Sequence, residues 1–269
     1  MIGSPIRHSL SPVIFNAAFE SLGLDYTYVA VEVPPGKAVE AIERARAAGV
    51  AGLSVTMPHK AAVLGALDRL SAAAEALGAV NTVLRVGDDL VGDNTDGPGF
   101  LDALAADEGF DPSGRRCVVF GAGGAARAVV LALAASGAAE VVVVNRNPER
   151  AASAVLLAGD VGRIGEAADV CEADLVVNAT PIGMHAHPVD PLFDVSLIGK
   201  GQLVADLVYH PSLTPLVAEA RERGAVAVNG LGMLIHQAAH SFRLWTGQPA
   251  PVEVMSAAAV SRLSQEASE

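Results

Sequence analysis

The sequence predicts an α/β fold with a mostly parallel sheet, and three observations predict it. Strand-like and helix-like stretches alternate along the chain, as βαβ units require. The alternation restarts after a turn-rich segment, Asp111 to Arg116. The restart opens on a strand, a glycine turn, a helix and a second strand, spanning 117–147.

Taken in order, "MIGSPI" holds barely two apolar residues before a turn, so the chain is expected to begin partway into a first strand. "YTYVAVEV" (26–33) reads as a strand, and 37–48 as an amphipathic helix ended by Gly49. "VAGLSV" (50–55) is the next strand, and its unbroken apolar character suggests burial on both faces. A short helix is expected from Pro58. After the restart, strands are expected at 174–178, 203–208 and 225–228, with helices between them. A long helix is expected from Gly232 to Trp245, and another over 251–264.

Composition narrows the function. Of 269 residues, 51% are hydrophobic and 18% charged, which marks a globular chain. Acidic residues number 30 against 18 basic, a net charge of -12. That balance argues against nucleic acid or an anionic membrane as a partner. Two cysteines, Cys117 and Cys171, form no CxxC pattern, which suits a reducing cytoplasm. The longest apolar stretch, Ala128 to Ala139, is too short to span a bilayer. No basic segment followed by an apolar core marks a signal peptide at the start. A cytoplasmic location is therefore expected.

The turn "GAGGAA" (121–126) fits G-x-G-x-x-G/A as Gly121, Gly123 and Ala126. Such turns are common, but here a strand precedes it, a helix follows, and "EVVVV" returns as the second strand. That is the full dinucleotide-binding context, with the pyrophosphate on the helix N-terminus. Sites for NAD place Asp or Glu at the end of the second strand. Asn145 stands there instead, 24 residues past Gly121, followed by Arg146 and Arg150. A guanidinium pairs with a 2′-phosphate that a carboxylate would repel, so NADP is the expected cofactor.

Four polar signals fall in the first hundred residues. "HSLSP" sets Ser9 and Ser11 two apart, on one side of an extended segment. Two hydroxyls so placed can grip one carboxylate, or can simply belong to a serine-rich turn. In "LSVTMPHKAAV" (53–63), a helix opening at Pro58 puts Lys60 in its first turn. Partial positive charge there disfavours an ammonium by about 0.3–1 kcal/mol and lowers its pKa. Asn81 lies among apolar neighbours in "AVNTV", where it is either a site amide or a turn amide. Asp96 in "GDNTDGPGF" precedes a helix and is either a site carboxylate or a cap. A lysine and a carboxylate facing one small polar ligand can share a proton-transfer role. A cofactor-sensing module without turnover would have no use for that pair.

The chain resembles the shikimate dehydrogenase family. "GSPIRHSLSP", "SVTMPHK", "GAVNTV", "GDNTDGPGF", "GAGGAARA", "NRNPERA", "NATPIGM", "DLVYHPSLTPL" and "GLGMLIHQAAHSFRLWTG" match its motifs in order. The resemblance implies NADPH-dependent reduction of 3-dehydroshikimate to shikimate, with quinate or aminoshikimate as the alternative substrate. It implies a substrate domain over 1–97, completed by helices in 233–269, and a Rossmann domain over 98–232, with the site in the cleft between. By the same resemblance, Ser9 and Ser11 hold the substrate carboxylate, and Thr56, Asn81 and Gln237 hold its ring hydroxyls. Lys60 and Asp96 form the catalytic pair. Gly121, Gly123, Gly124 and Ala125 match the phosphate-binding turn, and Asn145 and Arg146 the 2′-phosphate clamp. Thr180 and Met184 border the cofactor. Tyr209 and Gly230 fall near the nicotinamide, Tyr209 counted with the substrate residues. Phe15 stands where the family usually has His, and Asn147 where it usually has Thr. Ser11 leans toward shikimate, since family members acting on quinate tend to carry Thr there.

Among the histidines, His236 and His240 are four apart on an expected helix, but no HExxH pattern supports a metal and none is expected. His185 and His187 flank an expected loop, and His59 is expected at the surface. The partner is expected to be a small molecule, and the chain a monomer or homodimer.

Overall fold

The computed structural model describes residues 1–184 and 191–266. They divide into two compact units, Met1–Gly99 with Ile235–Glu269, and Phe100–Leu234. Among the described residues no helix is long and apolar enough to cross a membrane.

The first unit runs through β1 (Ile2–Gly3), α1 (Ser11–Ser21), β2 (Val31–Glu32), α2 (Ala38–Ala47), β3 (Gly52–Ser54), β4 (Arg69–Leu70), α3 (Ala72–Leu77), β5 (Thr82–Val86) and β6 (Asp89–Asp93). β1 pairs with β2 in parallel, and four further strands pair in the order β3-β5-β6-β4. A parallel bridge from Ile2 to Val55 links the two sets. Where the sequence suggests a mostly parallel sheet, this one is mixed, with β5 antiparallel to both β3 and β6. The cause is local. Gly87 at φ +63° lets the chain reverse within Gly87–Asp88, and so short a loop can only join antiparallel strands. Ile2, Val33, Ile42, Val55, Val63, Val80 and Val83 form the core of this unit.

Three expectations for this unit change. Of residues 26–33, only Val31–Glu32 is strand. Upstream, Tyr28 gives its N–H and C=O to the Asn16 carboxamide instead of a neighbouring strand. The 50–55 stretch is not buried on both faces, since Val50 is exposed while Leu53 and Val55 are buried. No helix begins at Pro58. Residues 57–63 form turns, followed by a 3-10 turn at Leu64–Ala66. The carbonyls that a helix would use are taken from afar, Met57 by the Ser4 N–H at 2.9 Å and Lys60 by the Val80 N–H at 2.8 Å.

The second unit starts within α4 (Asp96–Glu108) and continues through β7 (Arg116–Phe120), α5 (Gly124–Ala135), β8 (Glu140–Val144), α6 (Pro148–Val155), β9 (Gly162–Ile164), β10 (Leu175–Asn178), β11 (Leu203–Asp206), α7 (Pro215–Glu222) and β12 (Val226–Val228). Its six strands are all parallel, in the order β12-β11-β10-β7-β8-β9. This is the doubly wound arrangement, and its strand order reverses between β10 and β7. Alternate residues of β7 feed opposite faces: Cys117 and Val119 pack with Val129, Leu133 and Val141, while Val118 and Phe120 pack with Val176, Val204 and Val217. Burial on both faces explains why the strands read as unbroken apolar runs.

The chain then returns to the first unit through α8 (Leu231–Thr246) and α9 (Val252–Glu266). α9 packs along α1. Phe15 stacks on Tyr28 at 4.5 Å and meets Trp245 at 4.9 Å. Trp245 also requires Gly52, where a Cβ would fall 2.4 Å from the indole ring.

Candidate active site

In the first unit, the turn at 57–63, the start of β5, the start of α4 and helix α8 bring polar side chains together. Lys60 Nζ donates to Asp96 Oδ2 at 2.5 Å. The Lys60 side chain is 21% exposed and that of Asp96 8%, so the pair is shielded but open to solvent on the lysine side. Asn81 Nδ2 donates to Asp96 Oδ1 at 2.7 Å and lies 3.5 Å from Gln237 Oε1. The carboxamide has one orientation: its Oδ1 accepts from the Thr95 N–H at 2.8 Å, and a backbone N–H can only donate. Asp96 is the first residue of α4, one position later than expected, and its carboxylate is bound by Lys60 and Asn81. Asn94 supports the same turn by accepting from the Asp96 N–H at 3.1 Å.

Four of the expected residues therefore converge: Lys60, Asn81, Asp96 and Gln237. Among the described residues, no hydrogen bond ties Ser9, Ser11 or Thr56 to this cluster. Leu10 between the two serines is helical, and Ser11 is the first residue of α1, so the segment is not extended. Ser9 Oγ instead accepts from the Ser11 N–H at 3.3 Å and donates to Met1 Sδ at 3.2 Å. Ser11 is buried, and its side chain hydrogen-bonds Tyr28. The Tyr28 hydroxyl donates to Ser54 at 2.7 Å, and burial raises its pKa. Thr56 packs its methyl against Gly3, where a Cβ would come within 2.4 Å of it.

His59 is not at the surface. It is 1% exposed, and its Nε2 lies 2.7 Å from the Val33 carbonyl, which requires a proton on that nitrogen. The histidine anchors the turn next to Lys60. The helix-dipole reason for Lys60 falls with the missing helix, and the Asp96 carboxylate takes its place as the reason a cation stands there. His185 and His187 lie outside the described residues.

In the second unit, Gly121 adopts φ +116°, and a Cβ there would meet the Ala179 carbonyl at 2.8 Å, so only glycine fits. Gly123 has no atom within 4 Å of where a Cβ would stand and is exposed, as is Gly124. No side chain caps α5, so the N–H groups of its first turn, at Gly124 and Ala125, face no capping oxygen. Ala126 is buried where the helix packs on the sheet. Asn145 donates to the Asn147 carbonyl at 3.0 Å, and Asn147 Oδ1 caps α6 by accepting from the Arg150 N–H at 2.9 Å. Arg146 and Arg150 are exposed and form no ion pair among the described residues. A glycine cradle, open helix N–H groups and two uncommitted cations fit a dinucleotide phosphate and a 2′-phosphate.

Around that turn, Thr180 donates to Asn178 Oδ1 at 2.7 Å, and Asn178 Nδ2 donates to Asp206 at 2.8 Å. Asp206 also accepts from Thr214 at 2.6 Å, and burial raises its pKa. Met184 is exposed. Gly230 has no room for a side chain, since a Cβ would lie 2.1 Å from the Leu207 carbonyl. Tyr209 follows β11 and is half-buried in this second unit. Sequence reasoning missed Thr82, Thr95 and Ser241, all buried. All three sat within quoted motifs, but none carried a signal of its own beyond a small polar residue among apolar neighbours.

Comparison with known proteins finds three matching profiles. Residues 1–83 match the shikimate dehydrogenase substrate binding domain, 103–183 match shikimate / quinate 5-dehydrogenase, and 230–260 match the shikimate 5'-dehydrogenase C-terminal domain. A shikimate dehydrogenase (NADP(+)) of Methanopyrus kandleri is 47% identical over 98% of this chain and 94% of its own. One from Moorella thermoacetica is 45% identical over 95% of this chain and 90% of its own. The crystal structure of shikimate 5-dehydrogenase from Thermus thermophilus, in complex with NADP(H) and shikimate, superposes with a TM-score of 0.90 at 40% identity, covering 97% of each chain.

Proposed function

The chain belongs to the shikimate dehydrogenase family, and from that premise we propose that it reduces 3-dehydroshikimate to shikimate, reversibly, with NADPH as reductant. The single observation that carries the mechanism is the 2.5 Å contact between Lys60 Nζ and Asp96 Oδ2.

When bound, NADPH supplies a hydride to the ketone carbon of the substrate. As the C=O π electrons move onto oxygen, the Lys60 ammonium donates a proton there and stabilises the developing alkoxide. The neutral amine then regains a proton from solvent, to which its side chain is partly open. Asp96 orients Lys60 through Oδ2 and is itself held by Asn81 through Oδ1. Asn81, Gln237 and Thr56 recognise ring hydroxyls, and Ser9 and Ser11 the carboxylate. Tyr209 completes the substrate residues.

On this reading the unit Met1–Gly99 with Ile235–Glu269 binds substrate, and the unit Phe100–Leu234 binds NADP. Gly121, Gly123, Gly124 and Ala125 receive the pyrophosphate. Asn145, Arg146 and Arg150 hold the 2′-phosphate, with Asn147 contributing the NH₂ group that its helix cap leaves over. Thr180, Met184 and Gly230 border the cofactor. A reducing cytoplasm suits the two unpaired cysteines, and burial pushes the Cys117 thiol up to about 12, where it stays protonated and unreactive. The enzyme works there as a monomer or homodimer.

The test is a set of initial rates with shikimate and with quinate, each with NADP and with NAD. Turnover is expected to be most efficient with shikimate and NADP. Higher kcat/KM with quinate, or with NAD, would overturn the corresponding half of the reading.

A further inference from the structure

Behind Asn81 lies a chain of buried hydroxyls that the mechanism above does not use. Ser241 on α8 is its junction. Ser241 Oγ lies 2.6 Å from Thr82 Oγ1 on β5, 3.2 Å from Thr95 Oγ1 before α4, and 3.1 Å from the Gln237 carbonyl, to which it donates. Thr82 is 0% exposed and Ser241 1% exposed, so neither hydroxyl can turn to water instead.

Counting protons gives the chain a direction. Ser241 spends its one proton on the Gln237 carbonyl, so Thr82 donates to Ser241. Asn81 Nδ2 spends its two protons on Thr95 Oγ1, at 2.9 Å, and on Asp96 Oδ1. Thr95 then donates onward, to Ser241 or to Asn81 Oδ1. Three elements that carry or adjoin proposed site residues meet here: β5 follows Asn81, α4 begins with Asp96, and α8 carries Gln237.

We infer that Ser241 is a positioning residue, which through Thr95 and Thr82 fixes the Asn81 carboxamide and the α8 segment bearing Gln237 for recognition of the substrate's ring hydroxyls. This rests on the reading of Asn81 and Gln237 as substrate residues. Ser241 touches neither substrate nor cofactor on this view. Its effect belongs to substrate binding, not to the proton transfer or to the cofactor.

The experiment compares Ser241→Ala, Thr82→Val and the double variant. Ser241→Ala alone strands the Thr82 hydroxyl and should destabilise the fold. The double variant removes both partners and should recover stability, because paired removal leaves no buried hydroxyl unmet. Two further measurements are made on it: hydrogen exchange of the Asn81 side-chain amide, by NMR, and steady-state kinetics with shikimate and NADP. The double variant is expected to regain its melting temperature, yet to exchange the Asn81 amide about tenfold faster and to show a shikimate KM raised about fivefold, with the NADP KM unchanged. If exchange and shikimate KM both return with stability, or if exchange quickens while KM stays put, the positioning role is overturned. Should the unmodified chain fail to turn over shikimate while the amide exchange still quickens, the functional reading fails and the hold of Ser241 on Asn81 survives it.

Discussion

The Lys60 ammonium stands 2.5 Å from Asp96 Oδ2, and the other oxygen of that carboxylate takes the Asn81 amide at 2.7 Å. Lysine and carboxylate thus depend on each other for stability, whatever chemistry they perform. A helix start beneath Lys60 would have made its removal neutral or mildly stabilising. The observed turn reverses that sign. Lys60→Ala leaves the Asp96 carboxylate shielded with its cation gone, and should lower stability by about 1–3 kcal/mol. Urea denaturation of the variant measures this, and an unchanged or higher midpoint would contradict it.

Ser11→Ala should weaken substrate binding more than it slows turnover. The carboxylate lies away from the reacting carbon and changes little in the transition state, so its contacts give mostly uniform binding. Ser11 also hydrogen-bonds Tyr28, so the variant loosens a buried hydroxyl pair. The expected result is a shikimate KM raised about tenfold with kcat within about threefold. An unchanged KM with a collapsed kcat would show that Ser11 serves the chemistry instead.

Arg146 is exposed and forms no ion pair among the described residues, so it is not spent on a fold contact, and on the proposed reading it holds the 2′-phosphate. Arg146→Ala should therefore leave the melting temperature unchanged and raise the NADP KM about tenfold or more, with the NAD KM hardly moved. A parallel loss with both cofactors would place Arg146 elsewhere than on the 2′-phosphate.

Asp206 gives a pH-dependent expectation. Burial raises its pKa in the folded state, against hydrogen bonds from Thr214, Val208 and Asn178 that work to lower it. A carboxyl with a raised folded pKa contributes stability that is full below its unfolded pKa and is lost as pH rises through the folded one. Asp206→Asn carries no such titration. The stability of the unmodified chain relative to Asp206→Asn should therefore fall as pH rises from about 4 toward neutrality. Denaturation midpoints at several pH values measure the difference, and a gap that widens with pH would mean the carboxylate is net stabilised where it lies.

Local signals in the sequence carried much of this structure. The glycine turn was readable because Gly121 and Ala126 are demanded by short-range geometry, a positive φ and a helix–sheet contact. Strands β7, β8, β10 and β11 were readable because burial on both faces leaves runs of apolar residues, with polar ones only at the strand ends. What escaped depends on distant partners. Residues 57–63 avoid a helix because Ser4 and Val80 claim their carbonyls, and nothing in the local pattern announces that. His59 is buried because the Val33 carbonyl, 26 residues away, receives its Nε2. Ser241 reads as an ordinary helix serine until α8 is laid beside β5. Lys60, Asn81 and Asp96 were legible as polar residues in unlikely company, but their convergence was not, since it needs β5 and the start of α4 brought side by side.

The most direct measurement is the steady-state kinetics of Lys60→Ala with 3-dehydroshikimate and NADPH. With its proton donor gone, kcat should fall by roughly 10²–10⁴, while the KM for NADPH stays within about twofold. Asp96→Asn should also slow turnover, and the double variant should fall well short of the product of the two losses, since the residues act as one unit. A Lys60→Ala enzyme with near-normal kcat would show that the 2.5 Å pair is structural and that the proton comes from somewhere else.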